Sequence, residues 1–266
     1  GYGVVVPHEV PQRNIGRTET DGFWLTNTET GRIERFFSIK ELWEKADPPV
    51  KESHPEQYEI YGFHSKFNPQ CDRLMVSLRW FPALKEPRWN MFGINHDEVR
   101  FAWITLKLDG SEVHCAVGPE EWEKGGHHGT WFPDGEHISM NLNIDRDVLR
   151  FVQVNQDGTG LRKMLSDVPG SGHPTVHLNG TQLITDTYTY EKGTSFGDGT
   201  IPLRWVNLLT GDVQNLVRIN TATPYNESVL RVDPHPAWDR SWQYVVFNGF
   251  VDRTRRVFLA DMRTLL

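Results

Sequence analysis

His128-Gly129-Thr130-Trp131-Phe132-Pro133-Asp134-Gly135-Glu136-His137-Ile138 is the stretch on which the fold turns. It aligns without gaps with three others, His64 to Leu74, His173 to Leu183 and His235 to Val245. The first column is always His, the fourth is apolar (Phe67, Trp131, Val176, Trp238) and the eleventh is aliphatic (Leu74, Ile138, Leu183, Val245). The copies start 64, 45 and 62 residues apart, a period that suits a four-stranded blade with loops of varying length.

Each copy reads as strand, tight turn, strand. Pro133-Asp134-Gly135 and Leu178-Asn179-Gly180 carry hairpin chemistry, because Asp-Gly and Asn-Gly tolerate the positive φ such turns need. An alternating strand follows each turn, from Leu74, Ile138, Leu183 and Val245. A third strand then starts near an arginine (Arg100, Arg150, Arg204, Arg256). Second turns stand at Asp109-Gly110, Asp157-Gly158 and Thr210-Gly211, and a fourth strand such as Val213 to Val217 closes the blade. The N-terminal part fits the same scheme without its first strand: Tyr2–Val6, Gly22–Thr26 and Arg32–Ser38. Only Lys40 to Lys45 reads as helix.

The expected fold is therefore all-β: a β-propeller of four-stranded antiparallel blades, one domain over residues 1–266. A propeller closes its ring to protect its edges. This chain holds about four and a half blades, so the remaining strands of a seven-bladed ring, including N-terminal blade sequence, are expected from outside it. The strand-like run straight after Gly1 reads as a cropped or processed start, outside which any leader would lie.

Composition agrees with short strands. Ten Trp, 14 Phe, 23 Gly and 16 Pro in 266 residues favour strands and turns over long helices. No apolar run is long enough for a membrane span. A net charge of −7 and a pI near 5.9 argue against a general nucleic-acid binder, although a local basic funnel could still steer an anionic chain. Cys71 and Cys115 form no disulfide framework; buried thiols, one bridge or part of a metal site all fit them.

Equivalent positions of successive blades converge around a propeller axis, which draws attention to His64, His128, His173 and His235, thickened by His127 and His177. Imidazoles bind metals or move protons near neutral pH; a His repeated in every blade could equally be scaffold. A second column is chemically uneven: Arg79, Asn143, Tyr188 and Phe250 end the second strands. By strand parity they share a face with Ser77, Asn141, Asp186 and Asn248, and His8 falls at about the corresponding place in the first partial blade. A position equivalent in structure but different in chemistry is what an asymmetric site requires. The repetition of the third-strand arginines makes a scaffold role for Arg204 as plausible as a catalytic one. The insertion from Trp80 to His96, with Trp89, Met91 and Phe92, could wall a groove for sugar rings.

The segments HHGTWFPDGEHISMNLN (127–143), GSGHPTVHLNGTQLITDTY (170–188), DPHPAWDRSWQYVVFNG (233–249) and TRRVFLADM (254–262) resemble the TolB-like propellers among polysaccharide lyases. The resemblance is nearest to the propeller ulvan lyases, with oligogalacturonate lyases as cousins. It covers about half the chain, and Tyr188 with Arg204 is its more specific pairing. It implies β-elimination on a uronate-containing polysaccharide or oligosaccharide. His128, Tyr188 and Arg204 would be catalytic, while His127, Arg79, Asn143 and His64 would bind substrate. In such chemistry a cation neutralises the uronate carboxylate, a His or Tyr takes the C5 proton, and a Tyr or water protonates the leaving oxygen.

The oligogalacturonate branch implies a divalent metal (Zn, Mn or Ca) on His173 and His235 with His128 as base. Its additional Gln and His positions fall near Val232 and Ala237 here, so the ulvan-type reading leads. No organic cofactor, nucleic acid or membrane partner is implied, and a monomer is expected. A polymer substrate places the protein in the periplasm or outside the cell, whereas the oligogalacturonate branch would place it in the cytoplasm. The rival reading is a non-catalytic TolB-like propeller that binds a glycan or protein. A hydrolase role lacks its G-x-S-x-G elbow.

Overall fold

In the computed structural model the aliphatic eleventh column is sealed: Leu74, Ile138, Leu183 and Val245 are all buried. Each sits just past a tight turn and points the second strand of its sheet into apolar packing. The structure describes residues 14–83, 98–145, 148–191, 193–221, 232–252 and 254–266. The strand expected over Tyr2–Val6, His8, and the aromatic insert with Trp89, Met91 and Phe92 lie outside the described residues. The chain divides into two compact units, Gly1–Glu123 with Gln156–Thr159, and Lys124–Asn155 with Gly160–Leu266.

The first unit opens with the hairpin β1 (Gly22–Thr26) and β2 (Ile33–Ser38). Helix α1 (Ile39–Lys45) follows, started by a capping box in which Ser38 and Glu41 satisfy each other's backbone N–H groups. The sheet β3 (Tyr58–Phe67), β4 (Arg73–Pro82), β5 (Arg100–Lys107) and β6 (His114–Val117) is a consecutive antiparallel meander, and the short helix α2 (Pro119–Trp122) comes after it. Its core joins Leu42 and Trp43 of α1 to Ile60, Val76, Leu78, Trp80 and Ile104. Trp43 meets Trp80 edge-on at 5.1 Å.

The second unit holds two more four-stranded meanders and a three-stranded one. The first is β7 (Gly126–Trp131), β8 (His137–Leu142), β9 (Arg150–Asn155) and β10 (Arg162–Lys163). The second is β11 (Thr175–Val176), β12 (Gln182–Thr185), β13 (Thr200–Asn207) and β14 (Val213–Asn220). The last is β15 (Ala237–Trp238), β16 (Tyr244–Val251) and β17 (Thr254–Asp261). These are propeller blades, and the chain is all-β of the β-propeller class. Glycines 110, 135, 158, 180 and 211 all take positive φ, as the turn chemistry requires.

Two details depart from the sequence reading. The third-strand arginines do not all share a row: Arg150, facing Leu142, and Arg256, facing Gly249, are equivalent, whereas Arg100, facing Trp80, and Arg204, facing Thr185, are displaced to either side of them. Strand β13 begins earlier, at Thr200, because Ile201 and Leu203 have buried places to fill, and this leaves Arg204 mid-strand. Cys71 and Cys115 are both free thiols, exposed and buried respectively. Burial pushes the Cys115 thiol up to about 12. No helix among the described residues is long and apolar enough to cross a membrane.

Candidate functional site

The His column marks a backbone irregularity. His64, His128 and His235 have φ of 53°, 59° and 47°, the left-handed region. Strand pairing slips at Phe63/Ser65 and again between His127 and Thr130. His is among the side chains that enter this region more readily than most, which accounts for part of its repetition. In the remaining copy Gly172, at φ 47°, takes the bend and frees His173 from it.

In the second unit the column converges. The rings of His128 and His173 lie 3.8 Å apart, and those of His173 and His235 stack at 4.0 Å with 26° between planes. Tyr188 joins them. Its hydroxyl is hydrogen-bonded to Nε2 of His128 at 2.7 Å and lies 3.4 Å from Nε2 of His173. Tyr188 and His128 are half-buried, so the group borders solvent.

Two buried carboxylates hold the cluster in place. Asp186 accepts from Nδ1 of His173 at 3.0 Å, from the His173 backbone N–H at 2.7 Å and from the His235 backbone N–H at 2.8 Å. One side chain thereby fixes the starts of two successive blades. Burial alone would raise the Asp186 carboxyl, but the hydrogen bonds from His173 and His235 outweigh it and hold it below the usual range. An ionised carboxylate only accepts, so Nδ1 of His173 carries the proton. In the neutral ring Nε2 then presents its lone pair towards Tyr188.

Glu191 is the second hub. It accepts from Thr187 Oγ1 at 2.6 Å, from the Tyr188 backbone N–H at 2.8 Å, from Gly172 N at 3.3 Å and from His127 Nε2 at 3.1 Å. Here too burial raises the carboxyl while His127, Thr187 and the Tyr188 N–H bring it below its ordinary value. Asn141 Nδ2 lies 3.3 Å from His127 Nδ1 and donates to the carbonyls of Ser171 and Gly172. Gly172 is pressed against this frame: a Cβ there would lie 2.1 Å from Asp186 Oδ1.

Of the residues singled out by sequence, His128, Tyr188, His173 and His235 come together, with His127 behind Tyr188 through Glu191. Arg204 takes another place. It is buried, and Nη1 donates to Pro169 O at 3.1 Å and Ser171 Oγ at 2.5 Å, bracing the loop that carries Gly172. Burial pushes its guanidinium down to about 10, with Glu191 acting in the opposite sense. Asn143 accepts from Val148 N at 3.2 Å and shapes a turn. Arg79 and His64 belong to the first unit, where His64 stacks on Phe63 at 3.8 Å.

Sequence reasoning missed the two hubs. Strand parity placed Asp186 on the face of Tyr188 but gave it no role. Glu191 sits in a Gly-rich loop with no pattern to mark it.

At the position implied for a metal on His173 and His235, Nδ1 of His173 is already engaged by Asp186. Among the described residues no three His, Cys, Asp or Glu side chains are grouped to hold a metal ion.

No protein-family model matches the chain, and no curated protein matches it in sequence. Solved structures similar in fold include TolB from Acinetobacter baumannii, at 9% identity and a TM-score of 0.47 over 90% of this chain and 56% of that one. An oligogalacturonate lyase in complex with manganese is 14% identical with a TM-score of 0.49, over 90% of this chain and 70% of the other. The tricorn protease gives 10% and 0.43, over 91% and 25%. The chain thus spans little more than half the length of the TolB structure. Likeness at this level says nothing of chemistry.

Proposed function

We propose that this chain carries the β-elimination site of a polysaccharide lyase acting on uronate-containing chains, of the ulvan-like kind. The observation that carries the reading is a tyrosine hydroxyl between two imidazole nitrogens, one of them backed by a buried carboxylate. A free phenol ionises near pH 10, so a tyrosine base needs a neighbour that accepts its proton. His173, with Asp186 behind it, and His128 both qualify by position.

In this scheme Tyr188 passes its proton to an imidazole, and the phenolate removes the C5 proton of the uronate. The electron pair enters an enediolate on the carboxylate. The C4–O bond then breaks, a C4–C5 double bond forms, and the imidazole returns its proton to the leaving oxygen. With Arg204 engaged by the 169–171 loop, the charge facing the uronate carboxylate is that of the imidazolium formed when Tyr188 gives up its proton.

The test is a continuous ultraviolet assay for unsaturated uronate ends, using ulvan, polygalacturonate and glucuronate polymers with a folded propeller. A rise with one of them supports the reading. No rise with any would sink it and leave a glycan-binding propeller.

A further inference from the structure

Arg79 is held in an unusual way. On β4 it lies directly across from Tyr61 of β3 and Phe101 of β5, and opposed residues share one face of a sheet. Its guanidinium carbon is 4.9 Å from the Phe101 ring centre, 5.2 Å from Phe63 and 5.9 Å from Tyr61. These are cation–π distances. Trp122 stacks on Phe101 at 4.9 Å, extending the aromatic surface. The four aromatic residues and Arg79 all keep partial exposure, while Leu78 and Trp80, pointing the other way, are fully buried.

Among the described residues the arginine has no anion of its own. Arg73 on the same strand pairs with Glu112, and Arg100 on the next pairs with Glu52 and Glu123. Arg79 makes no ion pair or hydrogen bond with any described residue, and its Nε is shut off from solvent without a partner. Leaving a guanidinium N–H unmatched is unfavourable. Aromatic faces hold the plane of the group while leaving its outer N–H edge directed at whatever binds.

We propose that Arg79, with Tyr61, Phe63 and Phe101, forms an anionic-sugar subsite that takes the carboxylate of a uronate or the sulfate ester of a sugar. The guanidinium edge would meet the anion bidentately, and the rings would lie along the apolar face of the pyranose. That the anion is carried by a sugar rests on the function proposed above. The anion preference follows from Arg79 and its rings and requires no turnover.

The experiment titrates the Tyr188→Phe protein, so that no probe is consumed, with three tetrasaccharides. Tetragalacturonate supplies carboxylates, a sulfated galactan tetrasaccharide supplies sulfates, and maltotetraose is neutral. Calorimetry should show binding of one or both anionic probes and none of the neutral one. Arg79→Met should weaken that binding by about tenfold or more, the loss of a charge-assisted pair. Arg79→Lys, which keeps charge and stem, should restore part of it and keeps the test valid should Arg79→Met fail to fold. Equal affinity in the folded Arg79→Lys and Arg79→Met variants and the parent, or equal binding of maltotetraose, would overturn the subsite. Absence of lyase activity in the wild type with Arg79-dependent binding intact would remove the proposed reaction and leave the subsite standing.

Discussion

The hydroxyl of Tyr188 lies 2.7 Å from Nε2 of His128, a hydrogen bond between residues of different blades. Both side chains are reached through backbone held elsewhere: Tyr188 by Glu191 at its N–H, His128 by the bulge in β7. The placement of the two side chains is therefore a product of the scaffold and should survive removal of the hydroxyl itself.

Tyr188→Phe is accordingly expected to leave the far-ultraviolet circular dichroism and melting temperature essentially unchanged. It should lower kcat on the polymer that the wild type cleaves by about 10²- to 10⁴-fold, the usual range for a positioned acid–base group. Steady-state kinetics with a thermal melt checks both parts. Activity within a few-fold of wild type would take Tyr188 out of the mechanism.

Much of the blade architecture was legible because it rests on local chemistry. The Gly turns, the buried eleventh column and helix α1 each follow from residues close in sequence. The convergence of His128, His173 and Tyr188 was legible through the repeat, since equivalent positions meet in space. Arg204 was not, because its place depends on how far β13 extends, and only the burial of Ile201 and Leu203 sets that. Asp186 and Glu191 bond to backbone groups of distant segments, and no spacing rule encodes such partners.

The same two carboxylates predict an acid response. Both have folded-state values below their ordinary 3.8 and 4.5, so the stability they contribute is fully present above those ordinary values. It is lost as pH falls through the depressed ones. Asp186→Asn and Glu191→Gln should each melt below wild type at pH 7, and the gap should shrink steadily from pH 5 to pH 2. A gap independent of pH would show that the lost contribution is packing and not ionisation.

Gly172 offers a steric test of the Asp186 frame. An alanine there faces both a left-handed φ and a methyl 2.1 Å from Asp186 Oδ1, for an expected loss of roughly 2–4 kcal/mol. That corresponds to about 4–16 °C in melting temperature for a domain of this size. Gly197 has a comparable φ of 77° with nothing within 4 Å of its added Cβ, so Gly197→Ala isolates the backbone cost. Turnover should fall in the first variant and hold in the second. Equal melting temperatures for the two would mean that the loop yields and Asp186 is not tightly framed.

Arg204 separates loop support from substrate contact. As a brace, it loses its bonds to Pro169 and Ser171 in Arg204→Met and leaves polar partners buried, an expected loss of about 2–5 kcal/mol. Arg204→Lys keeps the charge but not the fork, and should recover only part of that stability. In both variants the melting temperature should drop while KM for an oligouronate stays within a few-fold. A clamp on the substrate carboxylate would show the reverse, with unchanged melting and a KM raised about tenfold in Arg204→Lys. Melting curves and initial rates on the same preparations decide between them, and the engaged Nη1 of Arg204 favours the brace.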